Sequence, residues 1–166
     1  MTERYQSYSD YSNSAIQWLG PVPASWDVIR IGHLFKRTKR TGHSKKELLS
    51  VYRDPGVVFK NSRDDNNNKA SDDLSAYQLV EPKDLVLNKM KAWQGSVAVS
   101  NYEGIVSPAY FVYEPVGSKG KSYHARYGHY LLRCPQYISQ YLRYSKGIRV
   151  NQWDLDPDMF KSLEVL

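Results

Sequence analysis

The residues able to do chemistry are few and scattered. Histidines stand at His33, His43, His124 and His129, and the one cysteine is Cys134. A nucleophilic Ser or Cys needs an orienting base, and none of these histidines falls in a recognisable nucleophile motif. His33 reads as a surface or partly packed histidine. Cys134, beside Leu131, Leu132 and Pro135, reads as a buried small apolar residue. Asp154, Asp156 and Asp158 alternate like the start of a calcium loop, but Met159 and Val165 occupy the places of its Gly and Glu. That segment reads as an acidic surface capping a helix. Glu81-Pro82-Lys83, downstream of Asp72 and Asp73, imitates the E-x-K of a metal-dependent nuclease, yet the Pro makes a turn where such a site needs a strand. Asp156-Pro157-Asp158-Met159-Phe160 lacks the second Pro and the Tyr of the amino-methyltransferase D-P-P-Y, and no cofactor-binding glycine turn precedes it. Neither a G-x-x-x-x-G-K loop nor a G-x-G-x-x-G fingerprint is present. The expectation is a non-catalytic binder with no metal and no cofactor of its own.

Binding chemistry is better represented. The formal net charge is +6, from 23 Lys and Arg against 17 Asp and Glu. Residues 28–46 hold seven bases (Arg30, Lys36, Arg37, Lys39, Arg40, Lys45, Lys46) and no acid. Residues 115–153 hold seven more (Lys119, Lys121, Arg126, Arg133, Arg143, Lys146, Arg149), again with no acid. Segregated charge makes a patch that attracts a polyanion. Nucleic acid fits it; a membrane surface, an acidic protein and a plain solvated face are the other readings. Duplex binding uses cations on phosphates for affinity and Arg, Asn or Gln on base edges for specificity. The candidates are Arg37, Lys39 and Arg40 on a basic face, and Lys60, Arg63, Asn67 and Lys69 in an amide-rich loop. Lys89, Lys91 and Gln94 leave a strand and enter a turn, while Lys119, Lys121, Lys146 and Arg149 lie in compact glycine-containing stretches. The 60–69 loop reads as a groove reader or as an inconsequential surface loop; the 88–94 residues read as DNA contacts or as structural positions. Trp93 and most tyrosines are expected in the core.

These candidates need a scaffold, and 166 residues with 41% apolar content amount to about one domain. No apolar run approaches the ~18 residues that span a bilayer. Residues 1–11 lack the apolar stretch of a signal peptide, and a single cysteine builds neither an internal disulfide nor a zinc cluster. A soluble cytoplasmic domain is expected, with residues 1–15 as a flexible arm and 16–166 as the folded domain. Gly20-Pro21-Val22-Pro23 reads as a stiff turn before Trp26. Helical spacing of Val28, Ile31, Leu34 and Phe35 predicts a helix running to Arg40 and stopped at Thr41-Gly42-His43. Strands are predicted over 47–53 and 57–60 around Asp54-Pro55-Gly56, and then over 84–90 and 96–100. One more is predicted over 105–113, at an edge or bulged because of Pro108, after a hairpin-like link at 101–104. Asp72 or Asp73 is expected to cap a short helix through Tyr77. Helices are predicted on either side of Pro135 and after Pro157, with a loop or short strand at 145–152 and a strand-like end at 163–166. The fold class is α+β, a largely antiparallel sheet of short strands with flanking helices.

The stretch 87–113, LNKMKAWQGSVAVSNYEGIVSPAYFVY, carries a more specific signal. With it, in order, stand Pro23-x-x-Trp26, Leu34-Phe35, Leu48-Leu49-Ser50-Val51, Gly56-Val57-Val58 and Leu74-Ser75-x-Tyr77. Asp84-Leu85-Val86-Leu87-Asn88-Lys89-Met90, Ala92-Trp93-Gln94-Gly95-Ser96 and Gly104-Ile105-Val106-Ser107-Pro108-Ala109-Tyr110 form the centre, and Ser145-Lys146-Gly147-x-Arg149 and Phe160 to Leu166 close the set. Over residues 16–166 the chain resembles a target-recognition domain of the specificity subunit of type I restriction–modification systems. The resemblance implies sequence-specific binding of double-stranded DNA without catalysis. It also implies partners: methyltransferase subunits that bring S-adenosylmethionine and methylate adenine, and a motor subunit that cuts. Family members carry two such domains separated by long helices, and no long heptad-patterned helix is present here. The expectation is therefore a fragment, a truncated product or a half-subunit without the helices that dock the methyltransferase. A non-reading interaction module, pairing with another specificity subunit or with the methyltransferase, is the alternative. A small nuclease using Asp72, Asp73, Glu81 and Lys83 is a third reading.

Overall fold

The computed structural model describes residues 6–62, 70–117, 124–150 and 152–166. Strand β1 (Tyr11–Asn13) pairs antiparallel with β2 (Pro21–Pro23), so the polar start is tied to the body from Tyr11 on rather than being a free arm to residue 15, and the expected stiff turn is a paired strand. Strand β3 (Ile29–Arg30) runs into α1 (Ile31–Leu34), a single turn, and then β4 (Phe35–Thr38). The long helix predicted to Arg40 is thus corrected. Its apolar period serves a turn followed by a strand equally well, with Ile31 and Phe35 the buried members. Beyond Leu34 no acid stands at helical spacing to support a basic helix, and the backbone pairs instead with residues 112–115.

Strands β5 (Leu49–Tyr52) and β6 (Gly56–Phe59) form the predicted hairpin. No helix follows Asp73. Its Oδ1 accepts the Ser75 N–H at 2.8 Å, and Tyr77 N–H closes a turn onto the Leu74 carbonyl. An aspartate bonding the backbone two residues on makes a turn in place of a cap. Strands β7 (Gln78–Val80), β8 (Leu85–Asn88) and β9 (Val97–Val99) come next, with a 3₁₀ turn at Ala92–Gln94 between the last two. Residues 105–113 are not one strand at an edge. They split into β10 (Gly104–Val106) and β11 (Tyr110–Pro115), because Pro108 has no N–H for a ladder and lies in the intervening turn. Freed of the Pro, β11 pairs on both sides. The 101–104 link is not a hairpin either, since β9 pairs with β8 while β10 pairs with β7.

The predicted helices are α2 (Ala125–Leu131) and α3 (Pro135–Arg143), with Pro135 in the first turn of α3. Strands β12 (Ser145–Arg149) and β13 (Gln152–Leu155) make a hairpin. Asp156 caps α4 (Pro157–Ser162) by accepting from the Asp158 and Met159 N–H groups, and β14 (Glu164–Val165) returns to β3. The chain is α+β, with small antiparallel sheets and, among the described residues, four helices.

The central sheet has the order β4-β11-β8-β9. One face presents Phe35, Phe111, Tyr113, Leu85, Leu87, Val97 and Val99 to a layer containing Leu132, Tyr137, Tyr141, Phe160 and Leu163. The other presents Val112, Val86 and Ala98 to Leu49, Val51, Val57, Val80 and Val106 of the two-stranded sheets. Tyr137 and Tyr141 are core, as expected, whereas Tyr127 and Tyr130 are exposed. No helix among the described residues is long and apolar enough to cross a membrane.

The helical layer grips the β5–β6 turn directly. Arg133 donates to the Arg53 and Asp54 carbonyls, and its Nη1 lies 2.6 Å from His129 Nε2. His129 Nδ1 lies 3.3 Å from the Val99 N–H, which donates to it. Gly56 has φ +77°, and a Cβ there would stand 3.0 Å from His129 Cε1. Gly56→Ala is expected to lower stability by about 1–3 kcal/mol in urea titrations, through backbone strain and crowding together. Burial, and then the Arg133 guanidinium, hold the His129 imidazole below its ordinary value of 6.5. The unfolded chain therefore takes up this proton first. The contribution is complete above about pH 6.5 and is lost as the pH falls from there toward the folded value. Urea midpoints at about pH 7.5 and pH 5 are expected to show the loss, and His129→Gln to remove that part of the difference.

Candidate nucleic-acid interface

A groove of about 900 Å³ opens where β8 ends, bounded by β5, the 3₁₀ turn and α3. Its wall carries Arg53, Lys60, Lys91, Gln94 and Asn88, with Tyr52, Tyr110 and Trp93 between them, and none of the described residues lining it is acidic. Local hydrogen bonding fixes this wall. Asn88 Oδ1 accepts the Met90 N–H at 3.0 Å, and the Asn88 carbonyl accepts from Lys91 at 3.2 Å. Gln94 N–H returns to the Lys91 carbonyl at 3.0 Å, and Gly95, at φ +95°, closes the turn onto Ala92. Ser96 Oγ donates to the Val51 carbonyl at 2.9 Å, tying the turn to β5. Lys91 and Gln94 are therefore displayed in the open on a braced turn. Trp93 is half-buried, not core as expected; its indole N–H donates to Met90 O at 2.8 Å and its ring meets Trp153 at 5.0 Å.

Lys89 points to the other face of the sheet. Its Nζ lies 5.0 Å and the Arg37 guanidinium carbon 4.2 Å from the centre of the Phe111 ring. Burial, followed by Arg37, lowers the Lys89 ammonium from its ordinary value; Lys39 adds to that, and Asp154 opposes it. Arg37, Lys39 and Lys89 thus make a second cationic cluster. The two clusters are joined through residues 89–94. The Lys89 carbonyl accepts from Leu155, which brings the β12–β13 hairpin with exposed Lys146 and Arg149 alongside. Lys146 lies 3.6 Å from Asp156.

The other candidates are distributed differently. Lys60 reaches the groove from the 3₁₀ turn at Lys60–Ser62. Arg63, Asn67, Lys69, Lys119 and Lys121 lie outside the described residues. Arg53 was not among the sequence candidates; its one signal is its place between β5 and a Pro-Gly turn. Among the described residues no three His, Cys, Asp or Glu side chains converge as metal ligands. Asp73 is occupied with its own turn and Glu81 with Arg40.

Arg40 stands apart from the free cations. Its guanidinium is shared between Glu81 and Asp84. Asp84 is buried and also accepts the Glu81 N–H at 2.8 Å. Burial raises its carboxyl above the usual range, while the Glu81 N–H and Arg40 work against that rise. Arg40 thus supports the start of β8 and is not available to a ligand. Removing one partner of a buried pair costs about 3–5 kcal/mol, and the part-exposed guanidinium places this pair toward the lower end. Arg40→Ala is expected to lower the unfolding free energy from denaturant titration by about that amount, and Arg40→Ala/Asp84→Ala to recover part of it.

No family model matches the chain, and no curated protein matches it by sequence.

Proposed function

We propose that this chain binds double-stranded DNA and reads its sequence without catalysing a reaction, as a target-recognition domain of the type I restriction–modification kind. The observation that carries the reading is the acid-free groove wall, with Arg53, Lys60, Lys91 and Gln94 around the end of β8. A polyanion needs cations without nearby carboxylates to release its counterions. It also needs planar donors at fixed positions for base edges. Lys60, Lys91 and the Arg37–Lys39–Lys89 cluster suit phosphates, whereas Gln94 and Arg53 have the geometry for adenine and guanine edges. In this reading the methyltransferase partner supplies S-adenosylmethionine and the reaction on adenine, and a motor subunit supplies cleavage.

Selection from a random-sequence duplex pool followed by footprinting tests the proposal, and a pool with no enriched motif would count against it. For the selected duplex, Lys60→Ala/Lys91→Ala is expected to weaken binding evenly across sequences. It should also reduce the slope of log affinity against log salt by about 2, given about 0.9 per phosphate contact. Gln94→Ala is expected instead to relax preference at one base pair by about 1–3 kcal/mol and to leave the salt slope unchanged.

A further inference from the structure

The β12–β13 hairpin is a two-stranded ribbon with an irregular register. Lys146 faces Asp154 and Arg149 faces Gln152, so Gly147 and Ile148 together oppose Trp153 alone. An extra residue on one strand is a bulge, which bends the ribbon and re-aims a side chain. Here it turns Ile148 fully into solvent, with Val150 largely exposed just beyond. Among the described residues these are the two most exposed large aliphatic side chains. Gly147 is required for the bulge, because a Cβ there would collide with the Gln152 carbonyl and stand 2.9 Å from Trp153 Cδ1.

The ribbon is anchored at its base. Trp153 packs on Trp93 at 5.0 Å, Leu155 is buried, and Asp156 N–H donates to Tyr144 O at 2.9 Å. Its aliphatic tip is bracketed by Lys146 and Arg149, which belong to the acid-free stretch, with Asp154 and Asp156 at the base. A two-stranded ribbon fits the major groove of duplex DNA, and there the C5-methyl of thymine is the base-edge feature an aliphatic side chain can read. Cations beside the tip match the phosphates on either side of such a groove.

We propose that this ribbon enters the major groove and that Ile148, supported by Val150, is a specificity-determining residue that contacts thymine methyl groups. The proposal rests on the duplex-DNA reading above and adds the base feature that one element recognises.

The test uses the full chain and the duplex enriched from a random pool, prepared with thymine or with uracil at every thymine position. Each buried methyl lost should weaken wild-type binding about fourfold. Ile148→Ala is expected to bind the thymine duplex about that much more weakly and to treat the two duplexes alike, with an unchanged melting temperature. Equal wild-type affinity for both duplexes overturns the proposal while leaving DNA binding intact, as does an Ile148→Ala chain that still discriminates. A tip that serves self-association would show itself as a dimer-to-monomer change in Ile148→Ala with DNA affinity unaltered, which also overturns it. Absence of any enriched duplex instead removes the DNA reading itself.

Discussion

Leu85, Val86 and Leu87 are consecutive and all buried, yet they face two different cores. Phe111, Val112 and Tyr113 repeat the arrangement on the neighbouring strand. A strand pair with both faces apolar has no solvated side to offer, so the rest of the chain must supply two covering layers. The helices and the C-terminal segment provide one. The β5–β6 and β7–β10 sheets provide the other. Even the smaller details serve this demand. Arg133 and His129 reach from the helical side to hold the β5–β6 turn, and the Arg40–Asp84 pair secures the entrance to β8 without leaving its buried carboxylate alone.

The site follows from where that apolar run stops. Asn88 is buried and still pairs with Tyr110, but beyond it Met90, Lys91 and Gln94 are exposed and their N–H groups bond within the turn, to Asn88 Oδ1, Asn88 O and Lys91 O. Polar side chains leaving such a turn are exposed but fixed. Fixed donors matter for reading a duplex, because ordering long side chains on binding would consume affinity. Arg40 and Arg133 belong to the two acid-free stretches, yet both are spent inside the fold on carboxylates and carbonyls. Among the described residues, the cations around the end of β8, on β4 and on the hairpin remain for a partner.

Elements whose boundaries depend on local chemistry were legible in advance. The Asp54-Pro55-Gly56 turn, Pro135 in the first turn of α3 and Pro157 opening α4 each rest on a residue that fixes its own backbone. The α+β class follows from the same signals. What escaped depends on distant partners. Lys36–Arg40 reads as helix until Val112–Pro115 is available to pair with it, and β11 reads as an edge until Pro108 is seen to lie in a turn before it. Trp93 reads as core because size and apolarity do not reveal that its neighbour is another half-buried tryptophan. Of the candidate contacts, Lys60, Lys91 and Gln94 share a groove, while Lys89 joins Arg37 on the opposite face; Asn88 and Lys89 part by the alternation of extended chain, and the 3₁₀ turn after Met90 brings Lys91 and Gln94 back to the groove side.

The Trp93–Trp153 contact gives these parts a mechanical relation. Trp93 sits on the turn that displays Lys91 and Gln94. Trp153 sits opposite the bulge that displays Ile148. The two rings meet edge to face, and the Leu155 N–H to Lys89 carbonyl bond at 3.0 Å pins the same junction from the backbone. The turn and the hairpin therefore hold a fixed spacing before any ligand arrives. A duplex presents its phosphates and base edges at fixed intervals, so a reader whose cationic turn and aliphatic tip are already spaced loses less freedom on docking than two independent loops would. In the proposed DNA reading, the joint is where packing energy would convert into discrimination: it would add no contact to the duplex, and it would determine which contacts can be made together.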